Sequence, residues 1–375
     1  MSEKNKSFSS NLDPRTSSRR DKITHWIRPV IQNLSAYHVP DPGKMIKLDA
    51  MENPYSLPED FKDKWLAILR DVELNRYPDP SARALTEQLR SAMTVPNEAK
   101  IILGNGSDEL IQIILMAVAA KHRVVLSVEP SFVMYKMIAA YTDMQYVGVP
   151  LQDDFSLNET AMLDAIATQQ PAVVFLAYPN NPTGNLFDAS VIEKIIAAAP
   201  GLVVIDEAYH AFAEQSYMAK VMDYDNVVVM RTVSKLGLAG LRLGLLAGSE
   251  AWLNEFDKVR LPYNINILTQ ATAELALAHK DIFDQQTAEI RKERNELFNA
   301  LSGIEGLKVY PSSANFILFR TPQGKADQIF AGLKEQGVLI KNLNPAGGPL
   351  HDCLRVTVGK PEENVAFLVA LKNVL

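Results

Sequence analysis

The chain has 375 residues, 47% of them hydrophobic and 22% charged, a composition that suits a soluble globular protein with one large and one smaller domain. Its 38 basic and 44 acidic side chains leave a net charge of −6, which argues against nucleic acid as a partner, and no apolar run reaches the roughly 18 residues of a membrane-spanning helix. A single cysteine, Cys353, excludes an internal disulfide, and the six histidines stand at no metal-binding spacing, so no metal is expected.

Residues 1–24 are rich in Ser, Arg, Lys and Asn and lack the apolar segment of a secretory signal, so they read as a flexible arm. A reducing cytoplasm fits the cysteine content. Further on, seven short apolar runs rich in β-branched residues follow one another at 100–103, 123–128, 144–149, 172–177, 202–205, 227–231 and 243–247. Helical spacing fills most gaps, as at 110–115 and at Val191, Ile192, Ile195 and Ile196. Near-continuous apolar strands alternating with helices predict an α/β fold with a seven-stranded, mainly parallel sheet covered on both faces. Only eleven residues separate Arg231 from Leu243, too few for a parallel crossover with a full helix, so the seventh strand is predicted to be antiparallel. Beyond Pro262 the pattern changes to one long helix over 268–301, strands at 307–310, 315–319 and 354–358, and a closing helix over 361–371. Helix followed by mixed strands predicts a small α+β domain, which divides the chain into a large domain over 46–265 and a small one over 266–375.

The residues that carry chemistry stand at the ends of the predicted strands. Lys235 closes an apolar strand that runs into the polar turn Thr232-Val233-Ser234, Asp206 ends another, and Asn180-Asn181-Pro182-Thr183-Gly184 follows a third. Asn181 and Asp206 are 25 positions apart, and Asp206 and Lys235 are 29, each interval long enough for one helix and one strand. Open parallel sheets bind ligands beyond the carboxyl ends of their strands, so the three residues are expected to meet there. Gly104-Asn105-Gly106-Ser107-Asp108-Glu109 opens a helix after a strand, a geometry that offers backbone N–H groups to an anion, although the run matches neither a P-loop nor a dinucleotide fingerprint. Alone, the Asn-Asn-Pro-Thr-Gly run is also an ordinary turn signal.

Lys235, with Asn181, Asp206-Glu207-Ala208-Tyr209 and Arg242 seven positions after the lysine, resembles the fold-type I pyridoxal-phosphate (PLP) aminotransferases from about residue 27 to the C-terminus. The resemblance implies PLP as cofactor, held by Lys235 as a Schiff base, with the lysine then moving the proton at the substrate's α-carbon. A lysine suits both tasks because its pKa falls readily on desolvation or near other cations. It implies that Asp206 faces the pyridine nitrogen and keeps it protonated. Asn181 and Tyr209 would donate to the phenolic oxygen, and Phe132 would stack on the ring. The phosphate would lie among Ser107, Asp108, Ser234, Arg242 and Tyr77, the last reaching across from a neighbouring subunit, so a homodimer with shared sites is implied. Residues 25–45 would join the small domain.

Within that class the segment Leu48-Asp49-Ala50-Met51-Glu52-Asn53-Pro54-Tyr55, the turn at Tyr77, the stretch from Lys235 to Arg242 and the tail around Arg355 are similar to the histidinol-phosphate aminotransferases. The resemblance implies exchange of an amino group between L-histidinol phosphate and 2-oxoglutarate in histidine biosynthesis. Arg355 would grip the substrate's phosphate or carboxylate in turn, since its planar fork suits both anions. Tyr37, Asn53 and Lys341 match positions near the substrate. Met51 stands where Asn is often found, and Arg242 follows Lys235 by seven positions where some members have eight. An aromatic-amino-acid aminotransferase, or a PLP decarboxylase of a phosphorylated amino acid, would use the same cofactor residues.

Overall fold

Each of the seven apolar runs becomes a strand of one sheet. The computed structural model describes residues 22–36 and 39–375, and in it the strands are β1 (Lys100–Gly104), β2 (Val124–Glu129), β3 (Gln145–Pro150), β4 (Val173–Ala177), β5 (Leu202–Asp206), β6 (Val227–Thr232) and β7 (Gly244–Gly248). They lie in the order β1-β7-β6-β5-β4-β2-β3. Every neighbouring pair is parallel except at β7, which runs antiparallel to both β1 and β6. The short link from residue 233 to 243 turns the chain straight back, as its length requires.

Strands β4 to β7 are buried at every position, so their side chains feed two apolar layers. Val203, Ile205 and Val229 pack with Leu85, Leu89, Ile192 and Ile195 on one face, and Phe175, Val204, Val228 and Met230 pack with Leu110, Ile114 and Tyr135 on the other. Burying each such aliphatic or aromatic side chain contributes roughly 1.5–3 kcal/mol relative to exposure, enough to fix the strand ends in place.

The long predicted helix is two helices, Ile267–Ala278 and Lys280–Ser302, broken at His279, whose φ of −118° and ψ of 42° leave the helical region. The His279 ring packs edge-on against Phe61 at 5.8 Å, and its Nδ1 lies 3.1 Å from the Leu275 carbonyl. A tertiary contact sets the break, while the apolar spacing continues through it.

A second, antiparallel sheet contains β8 (Lys308–Val309), β9 (Phe316–Arg320), β10 (Lys341–Asn342) and β11 (Cys353–Thr357) in the order β10-β11-β9-β8. Phe316, Phe319, Val356, Phe367 and Leu371 form its core, with the helix Pro361–Val374 laid across it. Strand β10 and the parallel pairing of Ile46–Lys47 with Val338–Leu339 are two residues long, too short to leave an alternation in the sequence. Residues 42–375 form one compact unit; the described part ahead of it carries the short helix Pro29–Gln32. Among the described residues, no helix is long and apolar enough to cross a membrane, and no group of three or more His, Cys, Asp or Glu side chains is arranged to hold a metal ion.

Candidate active site

The carboxyl ends of β1, β4, β5 and β6 open into a cleft enclosing about 590 Å³ of empty space, part of it open to solvent. Nine residues singled out in the sequence line it: Ser107, Asp108, Phe132, Asn181, Asp206, Tyr209, Ser234, Lys235 and Arg242.

Lys235 sits in a single 3-10 turn, Ser234–Leu236, directly after β6. Gly237 follows at φ +123°, and a Cβ there would come within 2.9 Å of Asn53 Nδ2, so the turn needs glycine for both conformation and space. The lysine Nζ donates to the Ala50 carbonyl at 3.3 Å and stands 5.8 Å from the centre of the Tyr209 ring. Burial, followed by the nearby guanidinium of Arg355 and that of Arg242, lowers its pKa to about 8. Near neutral pH a fraction of the amine is therefore unprotonated, as a nucleophile or base requires.

Asp206 is the last residue of β5 and is 3% exposed. Its Oδ2 accepts from Tyr135 Oη at 2.6 Å and its Oδ1 from the Ala208 amide at 3.1 Å. Among the described residues no lysine, arginine or histidine forms an ion pair with it. Burial consequently pushes its pKa up to about 6, while the two hydrogen bonds pull the other way. A buried carboxylate without a cationic partner is costly, so the cleft is chemically suited to a ligand that brings a protonated ring nitrogen.

The opposite end of the cleft suits an anion. The helix Gly106–Val118 begins there without a side-chain cap, so its first N–H groups are not used by its N-cap residue. Gly106 has φ +79°, and a Cβ on it would stand 2.8 Å from Arg242 Nη2. Glycine lets the guanidinium lie against the start of the helix. Arg242 is about 3.5 Å from Asp108, whose carboxyl is raised by burial against the opposing pull of Arg242 and Lys235.

Arg355, on β11, is 6% exposed and connects the cleft to the second sheet. Its Nη1 donates to Asn181 Oδ1 at 2.5 Å, its Nη2 donates to the Asp49 carbonyl at 3.0 Å, and its guanidinium lies 5.0 Å from the centre of the Phe316 ring. Asn181 in turn donates through Nδ2 to Tyr209 Oη at 3.1 Å. Lys341 is the register partner of Arg355 on the adjacent strand, which puts both side chains on one face of the sheet.

Two further expected residues stand outside the lining of this cleft. Asn53 lies behind the lysine turn, donating to the Leu236 carbonyl and to Gln286 Oε1, both at 2.9 Å. Tyr77 is 81% exposed and stacks on Tyr263 at 4.5 Å, outside the residues that line the cleft. Tyr37 lies outside the described residues. Sequence reasoning missed Tyr135, which is fully buried and stacked on Phe175 at 4.6 Å. Its one available signal was its place three positions after Phe132 at the start of the helix Val133–Tyr141, which puts the two rings on neighbouring positions.

The sequence profile of the aminotransferases of class I and II matches residues 43–371. A histidinol-phosphate aminotransferase of Nitrosococcus oceani is 57% identical over 353 residues, covering 94% of this chain and 98% of that protein. The chain belongs to the class I and II aminotransferases. A histidinol-phosphate aminotransferase of Cupriavidus pinatubonensis is 50% identical, with 93% of this chain and 96% of that protein covered. Among solved structures, the histidinol-phosphate aminotransferase of Sinorhizobium meliloti in complex with pyridoxal-5'-phosphate superposes with a TM-score of 0.83 at 25% identity, covering 93% of this chain and 97% of that one. Such coverage at both ends means that the family likeness involves both sheets.

Proposed function

We infer that this aminotransferase uses pyridoxal 5'-phosphate to exchange an amino group between L-histidinol phosphate and 2-oxoglutarate, giving imidazole-acetol phosphate and L-glutamate, a step of histidine biosynthesis. The residues fit the cofactor: Asp206 offers a buried carboxylate to a protonated ring nitrogen, Phe132 and Tyr209 line the space for a flat ring, and the helix start at Gly106 with Ser107, Ser234 and Arg242 offers donors to a phosphate. When bound, the cofactor supplies an aldehyde that takes up the donor's amine and a protonated ring that accepts the electron pair left at the donor's α-carbon.

The chain's own groups do the rest. Lys235 Nζ, with its pKa near 8, acts as the base toward the α-carbon of the donor. Asp206 holds positive charge at the far end of the ring, and Tyr135 fixes the direction of its carboxylate. Asn181 accepts from Arg355 through Oδ1, which turns its Nδ2 donor toward Tyr209 and the cleft. Arg355, with Lys341 beside it, binds an anion of each substrate in turn, the phosphate of histidinol phosphate or a carboxylate of glutamate. The protein works as a cytoplasmic homodimer in which Tyr77 serves the neighbouring subunit's cleft, with the small domain starting near residue 266.

The observation that carries the substrate assignment is the buried guanidinium of Arg355, tied through Asn181 to the lysine side of the cleft, in a chain 57% identical to a histidinol-phosphate aminotransferase. The test is single-turnover conversion of the cofactor by L-histidinol phosphate, L-glutamate and L-phenylalanine in separate reactions. Efficient conversion by the first two supports the reading; conversion by phenylalanine alongside glutamate, with histidinol phosphate inert, would make the enzyme an aromatic-amino-acid aminotransferase. Release of carbon dioxide from a phosphorylated amino acid, without conversion by glutamate, would make it a decarboxylase.

A further inference from the structure

One wall of the cleft is a strap, residues 49–51, that touches both ends of the chemistry. The Asp49 carbonyl accepts from Arg355 Nη2 at 3.0 Å and the Ala50 carbonyl accepts from Lys235 Nζ at 3.3 Å. The next residue, Met51, lines the cleft itself. Its backbone is pinned from both sides: its amide donates to Thr357 Oγ1 at 2.9 Å, and its carbonyl accepts from Asn315 Nδ2 at 3.0 Å. Held in this way it adopts φ +54°, the left-handed region that Gly and Asn enter readily and a long unbranched side chain does not. Strain of this kind persists where the surroundings over-determine it, and at functional sites it has a use. Asn would relieve the backbone, whereas Met carries the strain and brings an apolar side chain to this position.

We propose that Met51 is a specificity-determining residue whose thioether forms the apolar wall against which the flat ring of the amino donor lies, between the amine of Lys235 and the guanidinium of Arg355. The inference deepens the transaminase reading and rests on it. Around the cleft, Ser107, Asp108, Asn181, Asp206, Ser234 and Arg242 are polar, while Phe132, Ala177 and Ala208 stand at the sheet edge. Met51 is the apolar side chain supplied by the strap, and a polarizable sulfur favours contact with an aromatic or heteroaromatic ring. An imidazole would gain from it; the aliphatic chain of glutamate would gain little.

The test uses PLP-loaded wild type, Met51→Asn and Met51→Leu, with single-turnover titrations of L-histidinol phosphate and of L-glutamate, and thermal melting of each protein. Met51→Asn should raise the apparent dissociation constant for histidinol phosphate about three- to tenfold while shifting that for glutamate by less than about twofold. Met51→Leu, which keeps an apolar wall, should recover most of the loss, and the melting curves check that each variant is folded at the assay temperature. Equal effects on both donors would make Met51 a support for the strap carbonyls, and no effect on either would make it a bystander; both outcomes overturn the proposal. Should Met51→Asn not fold, Met51→Gln is judged by the same comparison. A wild type inert toward histidinol phosphate would instead defeat the histidinol-phosphate assignment, and Met51 would then be judged with L-phenylalanine, whose ring would meet the same wall.

Discussion

Replacing Asp206 by Asn should stabilise the cofactor-free protein and weaken the loaded one. In the free protein the carboxyl is buried without a cation, and its pKa rises from 3.8 to about 6. A folded-state pKa raised above the unfolded value means that the group favours the native state only when protonated. Its contribution is fully present below pH 3.8 and is lost as pH rises through about 6. At about 1.36 kcal/mol per pKa unit, the ionised carboxylate costs the native state about 3 kcal/mol above that window. Asp206→Asn removes the charge and keeps a polar group for Tyr135 and the Ala208 amide. At pH 8 the variant without cofactor should therefore melt about 4 °C higher than wild type, taking the usual unfolding entropy of roughly 2.1 cal/mol/K per residue, and the gap should close toward pH 4. With PLP bound the order should reverse, because the wild-type carboxylate then meets the protonated nitrogen. Melting curves at a series of pH values, with and without PLP, measure both signs. An Asn variant that is less stable than wild type in the free form, or a gap that does not change with pH, would refute the assignment of Asp206 as a cation-starved carboxylate.

Lys235→Ala should abolish turnover and the visible absorbance of the lysine-bound cofactor while leaving the far-ultraviolet circular dichroism unchanged; near-normal turnover would remove the central residue. Tyr135→Phe keeps the ring stacked on Phe175 and removes only the hydroxyl, so the acid limb of the pH–rate profile should move upward and PLP affinity should fall about tenfold or more, the loss expected for one hydrogen bond to a charged group, about 1.5–3 kcal/mol. An unchanged profile would leave Tyr135 a packing residue. Arg355→Lys should weaken both half-reactions about tenfold or more, because a point charge cannot reproduce two parallel hydrogen bonds, with little effect on PLP binding. Loss confined to glutamate would assign the phosphate to other groups. Mixing a Tyr77→Ala protein with an Arg355→Ala protein should restore partial activity in hybrid dimers if each cleft takes Tyr77 from one subunit and Arg355 from the other; no recovery after confirmed exchange of subunits would contradict shared sites.

Most of the cleft was legible because its residues sit where chain order and strand ends coincide. Asn181, Asp206 and Lys235 each follow an apolar run, and a parallel sheet delivers all such ends to one edge, so the motifs could be placed together before any side chain was positioned. The antiparallel β7 was legible for a related reason, the shortness of the link at 233–243. Contacts that depend on packing were not. His279 breaks a helix because its ring meets Phe61, a residue more than two hundred positions away, and the periodicity on both sides of it carries no trace. The motif that singled out Asn53 carried no sign that its amide reaches Leu236 and Gln286, both more than 180 positions away. Tyr135 gave no polar pattern at all: a buried tyrosine looks like any other core aromatic until its hydroxyl is found 2.6 Å from a carboxylate.

The two perturbed groups at the centre of the cleft explain each other. Lys235 and Asp206 are both held toward their neutral forms chiefly by burial, with the guanidinium groups of Arg355 and Arg242 adding to it at the lysine. A ligand with a phosphate at one end and a protonated ring nitrogen at the other would answer two of these charges: the phosphate would offset the guanidinium of Arg242, and the nitrogen would complete a pair with Asp206. The charge of Arg355 would not be answered in this way, because that guanidinium is engaged with Asn181 and the Asp49 carbonyl. It remains for the anion of the substrate to answer it. On the proposed reading, an anion on Arg355 would reduce the largest cationic influence on Lys235 and so raise its proton affinity when a base is needed at the α-carbon.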